Sequence, residues 1–184
     1  DTLDITSGVQ DATLQDTFIV FDLETTGLSP VSDEIMEIGA ATGRYSHYFA
    51  QKGFEVDAVE LIEHNIEVFK SKTQPNEKIS IRQGNAVNLS EYPDESYDIT
   101  LLLGPMYHLY TVEEQKKALS EAMRITKSGG YVFVAYCMVD PSVLTGIFKN
   151  NKVQQSIEDG LIDTETFETF FPPHGVSKLY TMDE

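Results

Sequence analysis

Two acids and a pair of glycines give the first sign of chemistry. In Glu37-Ile38-Gly39-Ala40-Ala41-Thr42-Gly43 the glycines stand where backbone can approach a ligand closely. The helix predicted from Arg44 would direct its first N–H groups at a bound carboxylate or phosphate. Ala41 occupies a position where a dinucleotide fingerprint has glycine, which weakens a pyrophosphate reading. Glu60 lies 21 residues after Gly39, a distance at which an acid ending a strand accepts hydrogen bonds from ribose hydroxyls. Taken alone, each feature has a plainer explanation, a tight turn or a solvated strand end. Taken together in this register, they predict recognition of a nucleoside.

Such residues need a scaffold that brings them to one edge, and the pattern of the chain supplies it. Phe18 to Glu24 reads as a strand closed by Thr25-Thr26-Gly27 and Ser29-Pro30, and Ile35-Met36-Glu37-Ile38 as a second strand. Tyr45, Tyr48 and Phe49 recur at helical spacing before Gly53. Glu55 to Glu60 is a predicted strand, Ile62, Ile66 and Phe69 one helix face, and Ile79 to Gln83 another strand. Tyr97 to Leu103 is almost continuously apolar, as in a strand buried on both faces of a parallel sheet. Thr111-Val112-Glu113-Glu114 forms a capping box, with Leu119, Ala122 and Met123 as the inner face, Ser128-Gly129-Gly130 as the stop and Tyr131 to Cys137 as the last strand. Residues 1–16 read as a lead-in. Beyond Pro141 the pattern predicts only helical pieces, such as Val143 to Lys149, broken by Gly160 and Pro172-Pro173. The fold class expected is therefore α/β, an open, doubly wound, mainly parallel sheet with its ligand beyond the carboxyl ends of the strands.

Composition narrows the function classes. The 184 residues suit one domain, and 41% hydrophobic with 23% charged residues excludes wholesale disorder. No apolar run approaches the roughly 18 residues needed to span a bilayer, and no basic-then-apolar leader opens the chain, so a cytoplasmic location is expected. Cys137, the only cysteine, cannot form an internal disulfide, and four histidines form no cluster at zinc-ligand spacing, so no structural metal is expected. The net charge of −17 disfavours nucleic acid and other polyanions as partners. The charge is uneven: residues 1–43 carry nine acids and no Lys or Arg, the first base being Arg44. That break suggests two stretches of different history, and the chain reads like a fragment.

Five stretches then fall in one order: Glu37 to Tyr45, Val59-Glu60-Leu61, Gln83-Gly84-Asn85-Ala86, Leu103-Gly104-Pro105-Met106-Tyr107-His108-Leu109, and Gly129-Gly130 before the fifth strand of the repeating pattern. With these, residues from about 35 to 183 resemble a class I S-adenosylmethionine-dependent methyltransferase, of the small bacterial kind that carries Gly-Pro-x-Tyr-His-Leu after its fourth strand. The resemblance implies a Rossmann-like sheet, here lacking its last strands, and S-adenosyl-L-methionine as cofactor. It implies that Gly39 to Gly43 hold the methionyl part, Glu60 the ribose, and Asn85-Ala86 the adenine edge. Many relatives have Asp where Asn85 stands, and an asparagine carbonyl could still accept from the adenine amino group. Glu37, Gly39, Ala40, Ala41, Gly43, Tyr45, Glu60, Leu61, Asn85, Ala86, Leu103 and Gly104 are the expected cofactor set. In-line methyl transfer chiefly demands alignment and exclusion of water. Tyr107 is expected to pack on the methyl group and His108 to accept a proton from a small-molecule acceptor.

Residues 18–40, from Phe-Ile-Val-Phe-Asp-Leu-Glu-Thr-Thr-Gly through Glu-Ile-Met-Glu-Ile-Gly-Ala, also resemble the first motif of DEDD-type proofreading exonucleases, particularly those within bacterial replicative polymerases. In that family the positions of Asp22 and Glu24 help hold two divalent metals. The further motifs are missing: the only His-Asn, His64-Asn65, is followed by Phe69 where an acid should stand. The two resemblances share Glu37-Ile38-Gly39-Ala40. The expected organisation is an incomplete exonuclease-like segment, 1–34, joined to a methyltransferase domain, 35–184, with Phe18 to Glu24 covering a sheet edge or projecting as an arm.

Overall fold

In the computed structural model, which describes residues 29–137, 147, 149 and 151–165, the sheet is built from β1 (Glu34–Ile38), β2 (Glu55–Glu60), β3 (Ile79–Gln83), β4 (Tyr97–Leu102) and β5 (Thr126–Val134). Helices α1 (Arg44–Gln51), α2 (Glu63–Lys72) and α3 (Val112–Ile125) make the crossovers, and a 3₁₀ turn, Pro105–Tyr107, follows β4. All pairings are parallel and the strand order is β3-β2-β1-β4-β5, so the order reverses between β1 and β4. That is the place where an open α/β sheet leaves a crevice at its carboxyl edge. These elements form one compact unit, Leu28–Ala135. Residues from Tyr136 onward belong to a second unit, in which α4 (Val153–Glu158) is described.

The apolar periodicity explains the layers. Met36, Ile38, Val59, Leu102 and Met106 pack with Ala118, Ala122 and Ile125 of α3, and Phe69 of α2 packs with Ala40 and Ala58. β4 is buried along nearly its whole length, as its continuous hydrophobicity predicts. The capping box of α3 is formed, Thr111 accepting from the Glu114 N–H at 3.2 Å. At the end of α1, Gly53 adopts φ +96° and its N–H reaches Ala50 O at 2.9 Å, the left-handed stop expected of it.

Three expectations are corrected. α3 ends at Ile125, and Ser128-Gly129-Gly130 lie inside β5 instead of stopping the helix. Tyr97 pairs with Thr126 and Ile99 with Tyr131, so residues 127–130 bulge outward, with Gly129 at φ +85°. The cause is tertiary: the Thr126 hydroxyl caps the helix by donating to Ala122 O at 2.6 Å and meets Thr100 Oγ1 at 2.7 Å, which pulls the chain straight into the sheet. Met123 is 61% exposed, because the face turned to the sheet runs through Ala118, Ala122 and Ile125. Ile62 precedes α2 as its N-cap and is 55% exposed, so it is no part of the buried face of Ile66 and Phe69. The strand expected at Phe18–Glu24, the helical piece at Val143–Lys149 for the most part, and Asp22 and Glu24 lie outside the described residues. Among the described residues no strand element follows β5, no helix is long and apolar enough to cross a membrane, and no group of metal-ligating side chains is present.

Candidate cofactor site

The bend between β1 and α1 has a closely packed glycine at each end. Gly39 takes φ +78° and a Cβ there would lie 2.6 Å from Pro105 Cδ, while Gly43 takes φ +87° and a Cβ would meet the Phe69 ring at 2.5 Å. Between them Ala41 sits at φ +46°, a left-handed conformation that an alanine adopts at a cost of about 1 kcal/mol. The Gly39 and Ala40 N–H groups both donate to Val59 O, at 2.8 and 3.0 Å, which ties the bend to the end of β2.

Glu60, the last residue of β2, completes that tie. Its Oε2 accepts the Ala41 N–H at 2.7 Å, and its Oε1 accepts the Ile62 N–H at 2.9 Å and the Asn65 amide at 3.2 Å. The side chain is buried, with Leu61 and Ile62 exposed beside it as an apolar rim. The bend and the strand-end acid expected to work together are thus in direct contact.

Glu37 plays a different part. It is buried and accepts, on one oxygen, both the backbone N–H of Ser46 at 2.8 Å and a very short bond from the Ser46 hydroxyl. It therefore caps the first turn of α1, where Gly43 supplies no side chain. Burial pushes its carboxyl up to about 7, an effect the two Ser46 donors oppose and the charge of Glu60 reinforces. Tyr45, half-buried one residue earlier, is likewise raised, chiefly by burial.

A family model described as a methyltransferase domain matches residues 36–134, which span this bend, Glu60 and the sheet. The chain belongs to that family. A demethylmenaquinone methyltransferase of Clavibacter sepedonicus is 29% identical over 119 residues, 64% of this chain and 46% of that protein. The crystal structure of a SAM-dependent methyltransferase from Methanosarcina mazei is 20% identical with a TM-score of 0.59, covering 82% of this chain and 74% of that one, a likeness of fold. A DNA polymerase III of PolC type from Caldanaerobacter subterraneus subsp. tengcongensis is 55% identical over 40 residues, 22% of this chain and 3% of that protein. The chain spans less than half the length of the curated relatives it matches.

In this methyltransferase domain the other expected residues gather at the same carboxyl edge. Gly104 follows Leu103 at the end of β4, and a Cβ on it would stand 3.1 Å from Gly39 O, so the two turns touch through backbone. Tyr107, half-buried, and His108, exposed, come next, with ring centroids 4.7 Å apart, and His108 N–H donates to Pro105 O at 2.9 Å. Ala86 is buried; Asn85 is exposed and its carbonyl accepts the Val87 N–H at 3.1 Å in a local turn. The sequence pattern marks Asn65 only as part of an incomplete exonuclease motif, whereas in the structure it donates to Glu60. Its position five residues past the acid, in the first turn of α2, was the available signal.

Proposed function

We propose that the domain binds S-adenosyl-L-methionine and transfers its methyl group to a small-molecule acceptor. The observation that supports this reading is the contact of Glu60 with the glycine bend at the switch point of the sheet. The residues suit such a ligand. Gly39, Ala40, Ala41 and Gly43 would border the methionyl part, and Glu37 and Tyr45, at either end of the bend, would complete that wall. Glu60 would offer an acceptor to the ribose, and Leu61, Ala86 and the Asn85 turn would border the adenine. Leu103 and Gly104 bring β4 against the bend. The cofactor supplies a sulfonium methyl group, and the chain's task is to align a nucleophile with it and keep water out. Tyr107 would pack beside the methyl group, and His108 would take the acceptor's proton at a ring nitrogen. The relative named as a demethylmenaquinone methyltransferase favours a small-molecule acceptor.

Calorimetric titration with S-adenosylhomocysteine tests this reading. Wild type should bind, and Glu60→Ala should weaken binding by about 2 kcal/mol, roughly thirtyfold. No heat of binding to the wild type would overturn it.

We further propose that residues 1–34 derive from an exonuclease first motif joined to a methyltransferase domain at 35–184, a reading that the 55% identity over 40 residues with the PolC-type polymerase supports. Two acids, Asp22 and Glu24, do not complete a two-metal site. No magnesium-dependent release of nucleotides is therefore expected; release abolished by Asp22→Ala would favour the exonuclease.

A further inference from the structure

A carboxylate offers about four acceptor positions on its two oxygens. In Glu60 three of them are filled from within the chain: Ala41 N–H on Oε2, and Ile62 N–H and the Asn65 amide on Oε1. One position remains, on Oε2. A ribose presents two vicinal hydroxyl donors, so Glu60 by itself is one acceptor short of holding both. The neighbouring side chain makes up the difference. Because a carboxylate at this position only accepts, the amide nitrogen of Asn65 must be the atom turned towards Glu60. That leaves its carbonyl Oδ1 as an acceptor, and among the described residues nothing donates to it. Asn65 is half-buried and its backbone is fixed in the first turn of α2, whose preceding N–H, that of Ile62, is itself bound to Glu60.

We propose that Asn65 is a ribose-specificity residue: held by its amide nitrogen to Glu60, it accepts the second ribose hydroxyl on its carbonyl oxygen while Glu60 Oε2 accepts the first. This rests on the reading that S-adenosyl ligands bind at Glu60. It also assigns a reason for the polar side chain at position 65, between the exposed His64 and the buried Ile66.

The experiment is a set of calorimetric titrations of the full chain with S-adenosylhomocysteine and its 2′-deoxy and 3′-deoxy analogues, on wild type and Asn65→Ala. Wild type should bind the parent at least about tenfold more tightly than either analogue. Asn65→Ala should weaken the parent about tenfold yet change by less than about twofold the affinity for the one analogue lacking the hydroxyl that Asn65 holds. An equal weakening of all three ligands would assign Asn65 a structural role and overturn the inference, as would no change at all. If Asn65→Ala fails to fold, Asn65→Leu, of similar volume and without polar atoms, carries the same test. Failure of the wild type to bind the parent overturns the cofactor reading, and equal wild-type affinity for all three ligands overturns the ribose assignment.

Discussion

Glu60 closes β2 and His108 follows the turn after β4, and their surroundings differ. Glu60 is 5% exposed and takes two backbone N–H groups and an amide, so its carboxylate is aimed before any ligand arrives. His108 is exposed and follows a three-residue turn. The Glu60 end of the carboxyl edge is thus built into the sheet, whereas the His108 end lies at the surface. The difference teaches that, on the reading proposed above, a nucleoside would meet groups already fixed by the fold, whereas an acceptor would meet an exposed turn.

Substitutions can break or sharpen that contrast. The largest effect is expected from Gly43→Ala, which forces a left-handed alanine and drives a methyl group into the buried Phe69 ring; urea unfolding should show a loss of about 4 kcal/mol. A loss under 1 kcal/mol would mean that the glycine bend is far more yielding than the packing indicates.

Next comes pH. Glu37 has its carboxyl raised from an ordinary 4.5 to about 7, so the folded state favours the protonated form. Its contribution to stability is full below about 4.5 and is lost as pH rises towards 7, amounting to about 3 kcal/mol. Glu37→Gln keeps an acceptor for both Ser46 donors and should remove that slope, raising the unfolding midpoint at pH 8. An identical pH profile in wild type and variant would contradict the burial argument.

Smaller still, Ala41→Gly should relieve the left-handed strain and, after the added freedom of the unfolded chain, stabilise the domain by about 0.5 kcal/mol. His108→Ala should move the unfolding free energy by less than about 0.5 kcal/mol and S-adenosylhomocysteine affinity by less than about twofold. A large fall in either would place His108 among the prebuilt groups and erase the contrast.

The parts legible in the sequence were those written in local rules. Period-two and continuous apolar runs located all five strands, and Gly53 and the Thr111 capping box located helix ends, because each depends on residues a few positions apart. The end of α3 was not legible, since Thr126 leaves the helix through bonds to Ala122 and Thr100, and Thr100 is distant in sequence. Met123 was misplaced for a related reason: an apolar residue on a helix is indistinguishable from its neighbours until the sheet selects a face. At the site, the bend and Glu60 were readable from spacing alone. Their direct bond was not, nor was the capping of α1 by Glu37, which a glycine N-cap makes necessary but does not announce.

The seam between Gly39 and Gly104 has a practical consequence for anyone redesigning this protein. Since a Cβ on Gly39 would meet the Pro105 ring at 2.6 Å and a Cβ on Gly104 would meet the Gly39 carbonyl at 3.1 Å, the turn after β4 and the bend are fitted to one another and have to be redesigned together. A graft that puts a side chain at 104 would press on the Gly39 carbonyl and so shift the bend between β1 and α1.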